Sequence, residues 1–154
     1  MKKLPDNPYN PHCWVVGEPK VGKGCWIGAF TLIDGSGGLT IGDGTEVSSG
    51  AQILTHSSQR RTVTARRYPD VDRRPTVIGS HVFIGTNATI LMGATVGDHA
   101  TIGAGAVVTE GMHIPPYSVA VGVPAKVVKT LSPSDYAKAL SPSDDKSDDD
   151  SADK

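Results

Sequence analysis

Apolar residues return at every sixth position along most of the chain, and this spacing predicts its fold. From residue 78 to residue 119 the sixes read IGSHVF, IGTNAT, ILMGAT, VGDHAT, IGAGAV, VTEGMH and IPPYSV. Six is a multiple of the strand period of about two, so the leading residues can all point to one side. A helix, with about 3.6 residues per turn, would scatter the same residues around its surface. The repeat therefore predicts strands.

The other positions of each six predict a turn and a narrow interior. The second residue is glycine in the sixes led by Ile78, Ile84, Val96 and Ile102, and a backbone without a Cβ can turn tightly there. The fifth residue is small in nearly every six. One branched side chain filling a centre, a small one beside it and a turn between them describe one side of a prism. Such hexapeptide repeats predict an all-β chain folded as a parallel β-helix with three faces per coil.

The period is interrupted twice. Earlier sixes begin at Val21, and all nine isoleucines of the chain lead a six. The step from Ile33 to Ile41 is eight residues where six are expected, and this glycine-rich insertion predicts a bulge at one corner. After His56 the period stops until Ile78, which predicts an excursion loop over residues 57–76.

Composition and periodicity together predict how the chain is divided. We expect an N-terminal arm at 1–14, the β-helix domain at 15–130, a short C-terminal helix at 131–140 and a disordered acidic tail at 141–154. The helix is predicted because Ser132, Pro133 and Asp135 have the spacing of a helix N-terminus. The tail is predicted to be disordered because it has almost no apolar residue to bury.

Charge and composition argue against several classes of function. The net charge of −1 gives no overall attraction to nucleic acid or to a membrane surface. No apolar run is long enough to span a bilayer, and the first residues lack the apolar segment of a signal peptide. Cys13 and Cys25 make no disulfide framework. We therefore expect a cytoplasmic protein with neither a nucleic-acid partner nor an integral membrane segment.

Two motifs at the end of the repeat are specific enough to indicate a family. IGAGAVVT at 102–109, followed by IPPYSVAVGVPAKVV at 114–128, resembles the left-handed β-helix (hexapeptide-repeat) acetyltransferases. The resemblance is to the branch of galactoside, maltose and nodulation O-acetyltransferases and of xenobiotic acetyltransferases. It implies a left-handed coil and a homotrimer with three active sites, each between two neighbouring subunits. It also implies acetyl-CoA as co-substrate, lying along the coils, and no metal.

The family places its catalytic histidine where a regular coil gives way to the excursion, and here that residue is His56. The chemistry is reasonable, because a sugar hydroxyl is a poor nucleophile at neutral pH and an imidazole can take its proton during attack on a thioester. Without the resemblance, a solvated loop residue is the favoured interpretation of His56. The resemblance favours its role as a general base.

Asp34 is the candidate partner of this base. It lies three sixes before His56 on the same side of the coil, and related O-acetyltransferases have an acceptor-binding acid near this bulge. The carboxylate could orient the acceptor or stabilise the imidazolium. An Asx turn within the glycine-rich insertion explains it equally well.

The resemblance also implies residues that bind the two substrates. Small residues and backbone amides along the later coils would hold the pantetheine arm, and a basic residue would face the coenzyme phosphates. By motif, the coenzyme-binding residues are Thr86, Ala104, Thr109 and Lys129. Phe83 could stack on an acceptor ring.

All six arginines of the chain lie in the excursion, at 60, 61, 66, 67, 73 and 74. Such a run is usually a solvated surface, with Asp70 and Asp72 available to pair with several of the arginines. A guanidinium also binds phosphate through two hydrogen bonds, so clustering next to the site suggests an anion. Arg60 and Arg61 are therefore further candidates for substrate binding.

Our interpretation is an acetyl-CoA-dependent O-acetyltransferase that modifies a sugar hydroxyl, in surface polysaccharide biosynthesis. N-acetylation of a nucleotide-linked amino sugar would use the same residues and is the nearest alternative. A non-catalytic trimeric β-helix scaffold or binding module is an alternative of another class. A metal-dependent hydratase like the γ-class carbonic anhydrases is disfavoured, because the chain has GTNA at 85–88 where that family has a GH ligand motif.

Overall fold

The six-residue period is realised as short strands separated by tight turns. The computed structural model describes residues 8–139. Most of the predicted N-terminal arm (residues 1–7) and the whole acidic tail (141–154) lie outside the described residues. Two short helices are present, α1 (Gln59–Val63) and α2 (Pro133–Ala139).

The strands are two to five residues long. The first nine are β1 (Trp14–Val16), β2 (Lys20–Val21), β3 (Trp26–Ile27), β4 (Leu32–Asp34), β5 (Leu39–Ile41), β6 (Glu46–Val47), β7 (Gln52–Ile53), β8 (His56–Ser57) and β9 (Asp72–Arg73). The others are β10 (Thr76–Ile78), β11 (Phe83–Ile84), β12 (Thr89–Ile90), β13 (Thr95–Val96), β14 (Thr101–Ile102), β15 (Val107–Val108), β16 (His113–Ile114), β17 (Ser118–Val121) and β18 (Lys126–Thr130).

These strands form the three faces of a parallel β-helix, which confirms the predicted fold class. The first sheet has the order β1-β4-β7-β12-β15, the second β2-β5-β10-β13-β16 and the third β3-β6-β11-β14-β17-β18. Neighbouring strands are parallel throughout, except that β18 returns antiparallel to β17. The first coil already includes β1, because Val15 in β1 pairs with Ile33. The coiling therefore begins one strand before the six that Val21 leads.

A single column of branched side chains fills the interior. All nine isoleucines are buried, with at most 3% of their surface exposed. The register stacks them directly, since Ile53 pairs with Ile33 on one side and with Ile90 on the other. The small fifth residues, such as Ala88 and Ala106, are fully buried beside this column. Burial of one aliphatic residue on each side of each coil is therefore what holds successive coils together.

The corners explain why the second position of several sixes is glycine. A Cβ on Gly85 would lie 2.5 Å from the backbone nitrogen of Ala104 in the next coil, so only glycine lets the two coils approach this closely. Further along the corner, Asn87 has a positive φ of 57°. Asparagine tolerates this left-handed conformation better than most residues do.

The excursion leaves the column between β7 and β10 and is held by its own contacts. It consists of β8, α1 and β9, and the two strands pair as an antiparallel hairpin. Arg60 donates to Asp72 at 2.5 Å, and its guanidinium carbon lies 3.5 Å from the centre of the Tyr68 ring. Arg74 reaches across to Glu110 at 2.7 Å and ties the hairpin to a later coil.

The short C-terminal helix packs against a ladder of rings at another corner of the column. The rings of His81, His99 and Tyr117 are stacked with centroids 5.1 and 4.8 Å apart. Tyr136 in α2 extends this ladder, and its hydroxyl donates to the carbonyl oxygen of His99 at 2.9 Å. Neither described helix is long and apolar enough to cross a membrane.

Candidate active site

The period itself brings Asp34 and His56 to one corner of the column. Ile33 and Ile53 are paired in adjacent strands of the first sheet, so the residues that follow them leave the sheet side by side. Asp34 enters the glycine-rich bulge, and Leu54 and Thr55 lead to His56. The two candidate residues, 22 positions apart in sequence, therefore meet.

The carboxylate of Asp34 is fully buried and all its contacts are hydrogen-bond donors. Oδ1 accepts the backbone N–H of Ser36 at 2.9 Å. Oδ2 lies 2.8 Å from the backbone nitrogen of Thr55, 2.9 Å from the Thr55 hydroxyl and 2.6 Å from Nδ1 of His56. Burial raises the pKa of Asp34, but the hydrogen bonds from Ser36, Thr55 and His56 outweigh burial and hold that pKa well below its usual range. Asp34 is therefore ionised near neutral pH.

An ionised Asp34 determines which nitrogen of His56 carries the proton. A carboxylate only accepts hydrogen bonds, so Nδ1 at 2.6 Å must donate its proton to Oδ2. In the neutral imidazole, Nε2 is then the unprotonated nitrogen. Nε2 has no hydrogen-bond partner among the described residues, and 41% of the His56 side chain is exposed. The pair thus presents a proton acceptor to solvent with its orientation fixed from behind.

Both interpretations of Asp34 from the sequence hold at once, because its two oxygens serve different partners. The contact from Oδ1 to the Ser36 amide is an Asx turn, and Oδ2 orients the imidazole. The rest of the glycine-rich bulge fits around Thr55, whose hydroxyl accepts the backbone N–H of Gly37 at 2.8 Å. A Cβ on Gly37 would collide with the carbonyl oxygen of Thr55.

Thr55 is the one residue of this cluster that the sequence did not indicate. It is fully buried, and both its amide and its hydroxyl contact Asp34. The available signal was its position, immediately before His56 and at the last residue of the coil before the excursion. A buried threonine at such a corner is equally compatible with packing, so sequence alone did not single it out.

The predicted coenzyme-binding residues lie at two different corners. Thr86 and Ala104 are exposed and adjacent in neighbouring coils, where the third sheet turns into the first. Thr109 follows β15, at the same corner as His56 but on a later coil. Within one chain, the first sheet therefore separates Thr86 and Ala104 from His56.

The other predicted substrate-binding residues are on the surface but do not gather around His56. Phe83 is 42% exposed on the third sheet, and Lys129 is exposed on β18. Arg60 is committed to Asp72 and Tyr68 inside the excursion. The side chain of Arg61 has no ion-pair or hydrogen-bond partner among the described residues.

Between residues 8 and 139, no three histidine, cysteine or acidic side chains lie close enough together to hold a metal ion. The outer surface of the first sheet carries an apolar groove of about 570 Å³ near its N-terminal end. Trp14, Phe30 and Leu32 line it, and Phe30 is 76% exposed.

Comparison with known proteins agrees with this architecture. Residues 75–110 match the family model described as the hexapeptide repeat of succinyl-transferase. A maltose O-acetyltransferase from Clostridium difficile is 29% identical, with a TM-score of 0.60, over 78% of this chain and 67% of that one. A hexapeptide-repeat acetyltransferase from Vibrio cholerae, solved with acetyl-coenzyme A, is 28% identical with a TM-score of 0.64, over 74% of this chain. By repeat and by fold, this chain is similar to the hexapeptide-repeat acyltransferases.

This chain spans 61% of the length of the Vibrio cholerae protein. Its fold is also that of AntD, an N-acyltransferase from Bacillus cereus solved with dTDP and coenzyme A, at 21% identity and a TM-score of 0.70. That alignment covers 83% of this chain and 72% of AntD. None of the curated proteins matches this chain significantly by sequence. The resemblance inferred from the IGAGAVVT and VGVPAKVV motifs is confirmed.

Replacing Asp34 by asparagine should remove a pH-dependent part of the stability. Because the folded-state pKa of Asp34 is lowered, its charge stabilises the fold above the unfolded-state pKa of about 3.9, and this stabilisation is lost as the pH falls through the folded-state value. The wild type should be more stable than Asp34→Asn near neutral pH, and the difference should shrink between about pH 5 and pH 2. Urea unfolding at fixed pH values measures it. Asp70→Asn, at an exposed loop position, is the control, and a gap that does not change with pH would contradict the assignment.

Proposed function

We propose that this chain transfers an acetyl group from acetyl-CoA to a hydroxyl of a sugar, with His56 as the general base. The observation that carries this proposal is the 2.6 Å contact between Nδ1 of His56 and the buried carboxylate of Asp34. In the neutral imidazole this contact leaves Nε2 as the unprotonated nitrogen, which is exposed and fixed in direction. A hydroxyl needs such a group, because it must lose its proton as it attacks.

Acetyl-CoA supplies an activated acyl group in the form of a thioester. Nε2 of His56 accepts the proton of the attacking hydroxyl while the new C–O bond forms. The imidazolium then returns that proton to the sulfur of the departing coenzyme, so the histidine ends in its original state. Asp34 stabilises the transient positive charge through Nδ1 and keeps the ring from rotating. Asp34 is thus a positioning residue, and Thr55 in turn holds its carboxylate.

The donor site that we propose uses the corners of the later coils. Thr86 and Ala104 present short side chains and exposed backbone, against which an extended pantetheine arm can lie. A backbone N–H there could stabilise the oxyanion that forms on the carbonyl oxygen of the thioester. Thr109 and the exposed Lys129 are assigned to the same coenzyme, the lysine to its phosphates.

A homotrimer would join these two half-sites. Since the first sheet separates Thr86 and Ala104 from His56 within one chain, a neighbouring subunit has to supply one of them for both to contact one acetyl-CoA. The apolar groove lined by Trp14, Phe30 and Leu32 on that sheet is exposed in the single chain and is suited to burial in a subunit interface. Three equivalent sites, one at each seam, follow from the symmetry.

A sugar hydroxyl is preferred over an amine because the similar solved structures above 25% identity include a maltose O-acetyltransferase. AntD, an N-acyltransferase, shares the fold at 21% identity. A role in surface polysaccharide synthesis in the cytoplasm rests on the family resemblance. A scaffold without activity would bind no acetyl-CoA, and calorimetry of acetyl-CoA binding separates that alternative from an enzyme.

Replacing His56 by alanine should abolish most of the activity. Loss of a general base typically lowers kcat by about 10²- to 10⁴-fold, while the KM for acetyl-CoA should change little. The measurement is thiol release from acetyl-CoA with a panel of sugars as acceptors. His113→Ala, at an exposed position on β16, is the matched control and should keep full activity. Full turnover by His56→Ala would remove the proposed base.

Shared sites can be tested by mixing two inactive variants. His56→Ala lacks the base, and Ala104→Trp blocks the coenzyme groove, so each homotrimer should be inactive. In randomly mixed trimers, a site is intact when an Ala104→Trp subunit contributes its His56 and the neighbouring His56→Ala subunit contributes its Ala104. This combination restores about a quarter of the sites. Activity that stays at zero after co-expression, or a monomer by size-exclusion chromatography, would contradict shared sites.

A further inference from the structure

The hairpin of the excursion sorts its charged side chains onto two faces. His56 pairs with Arg73, and Ser57 pairs with Asp72. The backbone N–H of Arg74 donates to the carbonyl oxygen of Thr55 at 3.0 Å, which makes Thr55 and Arg74 a hydrogen-bonded pair. Because hydrogen-bonded and non-hydrogen-bonded pairs alternate, His56 and Arg73 form a non-hydrogen-bonded pair. In such pairs the side chains lie on one face with Cβ atoms only about 4.5–5.5 Å apart.

On the opposite face the charges are already neutralised. Asp72 accepts hydrogen bonds from Arg60 at 2.5 Å and from the hydroxyl of Tyr68 at 3.2 Å. Arg74 is paired with Glu110 at 2.7 Å. This face of the hairpin therefore holds the excursion together and fastens it to the column.

Arg73 differs from these residues because no acid neutralises it. It is exposed, and its guanidinium has no hydrogen-bond or ion-pair partner among residues 8–139. Its strand neighbours Asp72 and Arg74 point to the other face, since side chains alternate along a strand. Asp34, the acid on the His56 side, already has four donors within hydrogen-bond distance of its carboxylate. An unpaired guanidinium thus stands beside the imidazole.

We propose that Arg73 binds a phosphate group of the acceptor, so that the preferred acceptor is a phosphorylated or nucleotide-linked sugar. This inference rests on the proposed function and names its substrate class. A guanidinium binds phosphate through two charge-assisted hydrogen bonds, which gives direction as well as affinity. Held in this way, an acceptor has its hydroxyl within reach of Nε2 of His56.

The chemistry of the two substrates assigns this anion to the acceptor and not to the donor. In acetyl-CoA the whole pantetheine arm separates the thioester from the phosphates, and the thioester must lie next to His56. A coenzyme phosphate is therefore remote from the base. In a sugar phosphate, by contrast, only a few bonds separate the phosphate from the ring hydroxyls. The assignment also replaces Arg60, predicted from sequence, with an arginine whose charge is available.

The binding test uses inorganic pyrophosphate and glucose 1-phosphate as probes, with the NMR signals of the His56 imidazole as the readout. Both probes should shift these signals saturably in the wild type, and Arg73→Gln should weaken binding by about tenfold or more. Arg66→Gln is the matched control, because this exposed arginine of the same excursion also has no side-chain partner among the described residues. An equal loss of probe affinity in both variants, or the absence of a saturable shift in the wild type, would contradict a phosphate site at Arg73.

Kinetic measurements then show whether the anion site serves the acceptor or the donor. They also test the phosphate site and the proposed acetyl transfer separately. With an accepted sugar, Arg73→Gln should raise the KM for the acceptor by about tenfold and leave the KM for acetyl-CoA unchanged. A rise confined to the KM for acetyl-CoA would assign the anion to the coenzyme and overturn the proposal. Phosphate binding at Arg73 without thiol release from any sugar would refute acetyl transfer while retaining the anion site.

Discussion

The fold depends on one steric constraint, which is that the interior of each coil has room for a single branched aliphatic side chain per face. The isoleucines that lead the sixes are all buried there, with at most 3% of their surface exposed. Because the leading residues recur every six positions outside the bulge and the excursion, each corner of one coil lies on the corner of the next. The regular length of the coils then brings residues that are far apart in sequence to the same corner, as it does for Asp34 and His56.

The same constraint makes a buried carboxylate tolerable. Burying an ionised group without compensation is costly, and the cost is offset only when its lone pairs are satisfied. Here two backbone amides, a hydroxyl and an imidazole surround the Asp34 carboxylate, and no buried side-chain nitrogen or oxygen within residues 8–139 lacks a partner. The bulge and the corner at Thr55 therefore together hold the Asp34 carboxylate. As a result, the His56 imidazole has Nδ1 as its donor and Nε2 as its acceptor.

The periodic part of the chain could be predicted from sequence, because a period of six admits one arrangement of strands and one set of inward residues. His56 was found through the family resemblance, and Asp34 through its position three sixes earlier. The excursion could not be predicted in the same way, since no repeat fixes its register. That is why Arg60 and Arg61 are equivalent candidates when only the sequence is considered. In the part of the chain that the structure describes, Arg60 is engaged by Asp72, whereas Arg73 has no acidic partner and is placed beside His56 by the pairing of β8 with β9.

The central claim is that Asp34 fixes the tautomer of His56, and ¹H–¹⁵N NMR of the imidazole tests it most directly. For the neutral imidazole the account predicts a proton on Nδ1, in a strong hydrogen bond, and an unprotonated Nε2. The Nδ1 proton signal should move towards that of a weakly bonded imidazole in Asp34→Asn. A wild-type spectrum showing the proton on Nε2 would contradict the account, because His56 could not then accept the proton of an attacking hydroxyl.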